Sequence, residues 1–300
     1  MPYGSFVKGV NEDMSKIAIL GTGRMGTALA HALLAREHDV SVWNRTPARA
    51  QPLSAAGARL ADSVHDAVRS AELVISILND YTTSHALLRT PEVTAAVRGK
   101  ALLQLASGSP SEARDAAAWA REHAVRYLDG AIMATPELIG KPESTILYAG
   151  ERAVFAELES ILRGLSGTTA HVGSDPGQAA ALDSALLMYM WGVLFGTLHG
   201  VAISEAEGIA LGDFLHYAKG LIPVADAFTI ELIERAIRKD YEQTQATLDT
   251  HHGALQHALE ICQSRGLDRT IPEAFERVMK RGLERGRGGL DFAALLDVMR

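Results

Sequence analysis

No formally charged residue appears between Asp183 and Glu205, in a stretch that opens Ser174-Asp175-Pro176 and meets no further proline until Pro223. Ser174 and Asp175 can cap free amides at a helix start, and proline is tolerated in a first turn. The segment 174–208 therefore reads as one long helix. At roughly 100° per residue, Asp183, Leu187, Met190, Trp191, Leu194 and Leu198 share one side, with Gly192, Gly196 and Gly200 opposite. A row of glycines lets a second backbone come close. The expectation is a helix buried all round, with a lone carboxylate near its start.

A run of this length also meets the requirement for a membrane span, about 20 apolar residues. Acidic flanks at Asp183 and Glu205, and the lack of a nearby Lys or Arg cluster, argue instead for a helix buried at a subunit interface. The 300 residues are 47% hydrophobic, enough for two domains with sizeable cores. A spread net charge of −7 argues against nucleic acid or an anionic membrane as partner. The single cysteine, Cys262, excludes an internal disulfide and suits a reducing, cytoplasmic setting. Residues 1–13 are patternless and are expected to be a disordered extension.

Lys16 to Leu20 is a short β-run that ends at Gly21-Thr22-Gly23-Arg24-Met25-Gly26, and helical apolar spacing follows. Strand before and helix after give this glycine pattern the setting a dinucleotide fingerprint needs. The first glycine makes the turn, the second admits pyrophosphate, and the third lets helix pack on strand. The phosphates then meet the amides of the helix N-terminus. The next strand, Asp39 to Trp43, ends in Asn44-Arg45-Thr46, where an NAD site usually places Asp or Glu. An arginine and a hydroxyl, with Arg49 one turn later, suit a ribose 2′-phosphate, so NADPH is the expected cofactor.

Strands at Leu73 to Leu78 and Ala101 to Leu105 lead into Asn79-Asp80-Tyr81 and Ala106-Ser107-Gly108-Ser109-Pro110. Loops at strand C-termini bind ligands in sheets of this kind, which brings Leu78, Asn79 and Ser107 forward. Ser107 can orient nicotinamide or substrate, or simply open a turn. Further strands are read at 127–133, 145–149 and 168–172, with a helix at 152–162. The alternation predicts a mostly parallel sheet. After Gly208 only helices are evident, at 213–219, 223–239, 243–266 and 272–285, with a short closing one at 291–299. His251 and His252 are adjacent and cannot face one ion together, so no metal site is expected. His199 reads as a hydrogen-bonded interface residue.

Along nearly its whole length the chain resembles the NADPH-dependent imine reductases and reductive aminases, a branch of the β-hydroxyacid dehydrogenase superfamily. The resemblance rests on Gly21 to Gly26, on Trp43-Asn44-Arg45-Thr46-Pro47, and on Met190-Trp191-Gly192 with Leu198-His199-Gly200. It implies a Rossmann domain over 14–173, an interdomain helix over 174–208, and an all-α domain over 209–300 that interlocks with its twin in a homodimer. It also implies active sites between one subunit's Rossmann domain and the other's helices. The hydroxyacid dehydrogenases use a lysine near the start of the long helix, whereas no lysine occurs here between Lys141 and Lys219. Asp183 matches the Asp type of imine reductase at that place. Reductive aminases often carry Tyr two turns later, where this chain has Trp191, and some members have Asn at the place of Ser107.

The expected reaction is hydride transfer from NADPH to an iminium carbon, with a small-molecule imine as substrate. Asp183 would act as charge-stabilising carboxylate or as proton donor. Leu187, Met190 and Trp191, with Ser107, would shape the pocket. Gly21, Gly23, Arg24, Met25 and Gly26 would hold the cofactor together with Asn44, Arg45, Thr46, Arg49, Leu78, Asn79 and Ser107. Reduction of a small aldehyde or keto acid, or NADPH binding without turnover, are the alternatives.

Overall fold

The computed structural model describes residues 15–300; the expected leading arm, 1–13, lies outside the described residues. The chain divides into two compact units between Leu187 and Met188.

The first unit is built on one sheet of eight strands. These are β1 (Lys16–Leu20), β2 (Asp39–Trp43), β3 (Arg59–Leu60), β4 (Leu73–Ser76), β5 (Ala101–Gln104), β6 (Arg126–Ile132), β7 (Thr145–Gly150) and β8 (Thr168–Gly173). Their order is β3-β2-β1-β4-β5-β6-β7-β8, and every pair is parallel except β6 with β7. Between the strands run α1 (Arg24–Leu34), α2 (Gln51–Ala55), α3 (Val64–Arg69), α4 (Tyr81–Leu88), α5 (Pro91–Val97), α6 (Pro110–Glu122) and α7 (Arg152–Leu162).

Strand alternation sorts the core into two layers. Ile17, Ile19, Val40, Val42 and Ile75 join Leu29 and Leu33 of α1 and Phe155 and Leu158 of α7 on one face. Ala18, Leu20, Val74 and Leu102 join Ala67 of α3 and Ala113 and Ala116 of α6 on the other. A sheet covered on both faces needs strands that are apolar throughout, and β4 is fully buried along its length.

The glycine loop makes the tight turn and the close helix packing that its spacing predicts. Gly21 has φ +109° and donates to the Trp43 carbonyl at 2.9 Å, which joins the ends of β1 and β2. A side chain at Gly26 would overlap the Gly21 carbonyl and lie 3.0 Å from Ile77 Cγ2, so only glycine lets α1 pack this closely.

A long helix follows, α8 (Gly177–Ala206). Asp175 caps it, accepting from the Gly177 amide at 3.0 Å while Arg114 of α6 grips the same carboxylate at 2.7 Å. The expectation of burial on every side is not met within one chain: Met188 is 65% and Leu198 63% exposed. A side chain at Gly192 or Gly196 would meet nothing within 4 Å. Apolar residues on every face signal cover, but not which chain supplies it. His199, expected to be a hydrogen-bonded interface residue, has a buried Nδ1 with no partner among the described residues of the single chain.

The second unit continues with α9 (Leu211–Arg238), α10 (Leu248–Arg265), α11 (Thr270–Glu284) and α12 (Leu296–Met299). The two helices read at 213–219 and 223–239 are one: Pro223 lies inside α9. Proline removes the single rung its N–H would make to the Lys219 carbonyl, and the helical rungs resume beyond it. Gly266 closes α10 in the left-handed conformation, φ +65°, as its position suggested. Leu248, Met279, Leu295 and Val298 form a small core of this unit's own. Much of α9 is left bare, with Tyr217, Leu221 and Ile237 exposed.

Candidate active site

Parallel strands deliver their C-terminal ends to one edge of the sheet, and there the first unit is hollow. A cavity of about 200 Å³ is lined by Met25 of α1, Leu78 after β4, Ser107 and Gly108 after β5, Asp129 of β6 and Asp183 of α8. Asp183 is half-buried, and that burial raises its pKa above the usual carboxylate range. Ser107 and Asp183, far apart in sequence, thus face the same space.

Beside it runs a groove of about 390 Å³, lined by Gly21, Gly23, Arg45, Thr46, Arg49 and Asn79 among others. Asn44 braces it. Its Oδ1 accepts from the Thr22 amide at 3.1 Å and its Nδ2 donates to the Thr46 carbonyl at 3.0 Å, which ties the glycine loop to the arginine turn. Among the described residues neither Arg45 nor Arg49 has an ion-pair partner. The groove fits NADPH on its own features. Gly23 leaves open space where a side chain would stand, and among the described residues Thr22 Oγ1 of the same loop is buried without a partner and the two guanidinium groups have no competing carboxylate.

The remaining expected site residues are placed less centrally. The Arg24 guanidinium pairs with Glu137 at 3.1 Å, and both side chains are largely exposed. Leu187 is outside the cavity lining, and Met190 and Trp191 belong to the second unit, where they are exposed in the single chain. The second unit has a cavity of its own, about 240 Å³, walled by Phe228, Leu232 and Phe292. At its edge Arg235 lies between Glu231 at 2.6 Å and Asp291 at 3.6 Å.

Asp129 is the residue that sequence reasoning missed. It is 1% exposed, and its Oδ2 accepts hydrogen bonds from the Tyr81 hydroxyl and from the Tyr127 hydroxyl, the latter at 2.9 Å. Burial pushes its pKa up to about 7, against the two tyrosine hydrogen bonds that favour the charged form. The available signal was an aspartate inside an otherwise apolar strand, Leu128-Asp129-Gly130-Ala131.

A glycine-rich first turn, a parallel sheet and a basic turn after β2 define an NADP-dependent oxidoreductase of the dinucleotide-binding class. Residues 16–173 match the NAD binding domain of 6-phosphogluconate dehydrogenase, and residues 175–300 match the NADPH-dependent reductive aminase-like C-terminal domain. An NADPH-dependent reductive aminase of Aspergillus oryzae is 31% identical, over 96% of this chain and 98% of its own. The imine reductase of Myxococcus stipitatus in complex with NADP+ is 44% identical with a TM-score of 0.92, over 95% of this chain and 100% of its own. A reductive aminase of Aspergillus terreus in complex with NADPH and ethyl levulinate is 33% identical with a TM-score of 0.88, over 96% and 100%. The chain belongs to the NADPH-dependent imine reductase and reductive aminase family, and NADPH is its cofactor.

The unpaired arginines generate a prediction about cofactor choice. NADPH should bind at least about tenfold more tightly than NADH, equivalent to ~1.4 kcal/mol. Arg45→Ala should erase most of that gap and change NADH binding little, as read by fluorescence titration. Equal losses for both cofactors would mean that Arg45 supports the loop rather than reading the phosphate.

Proposed function

We infer that this chain reduces imines to amines with NADPH, and that Asp183 serves the substrate nitrogen. The observation that carries this reading is the place of Asp183: a half-buried carboxylate of α8, facing the same cavity as Ser107 and the glycine-loop residue Met25. NADPH, when bound, supplies the hydride that an iminium carbon accepts. Solved relatives support the substrate class. One Aspergillus terreus enzyme was captured with cyclohexanone and allyl amine, another with dibenz[c,e]azepine.

The residues of the chain then have distinct tasks. Gly21, Gly23 and Gly26 shape the loop that receives the phosphates, and Arg45, Thr46 and Arg49 read the 2′-phosphate. Leu78, Met25 and Ser107 border the nicotinamide end, and Asn79 lines the groove beside it. Asp183 either holds a proton for the nitrogen or balances its positive charge. Burial favours the protonated form, so a proton-donating Asp183 makes the rate fall as pH rises through its pKa. Hydroxyacid dehydrogenation is disfavoured because this part of the chain has no lysine to replace Asp183 in that role.

The working enzyme is a homodimer under this reading. The length and hydropathy of α8 would also suit a membrane span, and none of its most apolar window is buried in the single chain. Its flanking carboxylates, the open glycines 192 and 196, and the bare face of α9 favour cover by a second copy instead. Leu187, Met190 and Trp191 would gain their pocket role there, against the partner's first unit. The single, buried Cys262 accords with a cytoplasmic enzyme.

Two outcomes check this reading. Light scattering should give twice the chain mass, and Gly196→Leu should weaken assembly by filling the close-approach face; an active monomer would remove the shared site. In single-turnover reduction of a cyclic imine at saturating NADPH, Asp183→Ala should be slower by about 10²–10⁴-fold, and Asp183→Asn nearly as slow. NADPH affinity should stay within a few-fold in both. Wild-type rates in both variants would take Asp183 out of the chemistry.

A further inference from the structure

Tyr81, Tyr127 and Asp129 form a buried polar knot that the reading above leaves without a task. All three are buried, and both hydroxyls converge on one carboxylate oxygen. Both phenols are pushed upward, Tyr81 and Tyr127 chiefly by burial, so they keep their protons and act as donors. Filling the space between β6 and α4 needs only apolar side chains. A carboxylate removed from water is an expensive alternative unless its hydrogen bonds achieve something that packing does not.

The Tyr81 ring leads toward the cavity. Tyr81 is the first residue of α4, directly after Leu78-Asn79-Asp80, and the Asp80 side chain caps that helix on the Thr83 amide at 2.6 Å. The ring lies flush against Gly108: a side-chain carbon there would overlap it, 2.5 Å from Cε2. Gly108 and Ser107 line the same cavity as Asp129 and Asp183. Asp129 is paired with Gln104, the last residue of β5, so the carboxylate sits level with the root of the Ala106–Gly108 loop. One hydrogen bond therefore links β6 to the ring on which the β5 loop rests.

We propose that the Tyr81–Asp129 hydrogen bond holds the Tyr81 ring in place as the floor of the Ala106–Gly108 loop, and so positions that loop for the nicotinamide end of NADPH. Tyr81 and Asp129 are positioning residues in this scheme; neither exchanges anything with substrate. The scheme rests on the placement of the nicotinamide end argued above.

Its test uses two probes that share the adenosine end. NADPH has both ends, whereas adenosine 2′,5′-bisphosphate has only the adenosine end with its 2′-phosphate. Tyr81→Phe keeps the ring and loses the hydroxyl, Asp129→Ala loses the acceptor, and Asp129→Asn keeps an acceptor oxygen of the same reach. Titration of the full chain should show NADPH affinity falling about tenfold in Tyr81→Phe and Asp129→Ala, with bisphosphate affinity within about twofold of wild type. Asp129→Asn should restore NADPH affinity to within about threefold of wild type. Wild-type NADPH affinity in Tyr81→Phe, equal losses for both probes, or an Asp129→Asn variant as weak as Asp129→Ala would each overturn the proposal. Neither titration contains an imine, so failure of the imine-reductase reading leaves these results standing, and failure of the Tyr81–Asp129 proposal leaves the imine-reductase reading standing.

Discussion

Parallel pairing of β1, β4, β5 and β6 is the constraint on which the site depends. Parallel strands must each be followed by a crossover, so their C-terminal ends all open on one edge of the sheet. The glycine loop follows β1, the arginine turn follows β2, Leu78 and Asn79 follow β4, and Ser107 follows β5. Residues scattered over the first third of the chain therefore share one edge. The reversal at β7, which runs antiparallel to β6, begins the part of the sheet that carries none of these loops.

Charge is placed sparingly along that edge, and each placement has a different cost. Arg45 and Arg49 stay in solvent and have no ion pair among the described residues, so holding them ready costs little and leaves them available to a phosphate. Asp183 is half-buried, and the loss of water raises its pKa without fixing its protonation state. Asp129 is fully buried, and two phenol donors do not bring it back to the ordinary carboxylate range. Such a group survives in a core because its hydrogen bonds determine where other parts sit.

What could be read in the sequence was whatever is local. The glycine loop, the basic turn at Asn44-Arg45-Thr46 and the apolar strands each declare themselves within a few residues, because turn geometry and strand alternation are local physics. Asp129 did not declare itself, since its donor Tyr81 is 48 positions away and meets it only once β4, β5 and β6 are side by side. Pro223 misled because the local cost of an interior proline, about 3 kcal/mol, does not end a helix as long as α9. The length of α8 was legible from its composition, while its cover was not: hydrophobicity tells that a face must leave water, not what it meets. The same limit separates Asp183, which faces a cavity within the first unit, from Met190 and Trp191, which are exposed in the single chain.

If this edge of the sheet is where the chemistry happens, hydride passes there from NADPH to an imine carbon. Incubation of the chain with NADPH carrying deuterium at both C4 positions, against a cyclic imine, a 2-keto acid and an aldehyde in separate reactions, followed by mass spectrometry of each product, locates the transferred hydride. Deuterium should appear on the former imine carbon, matched mole for mole by NADPH oxidised, with no comparable transfer to the carbonyl compounds. Oxidation of NADPH with the keto acid or aldehyde alone, or with none of the three, would contradict hydride transfer to an imine.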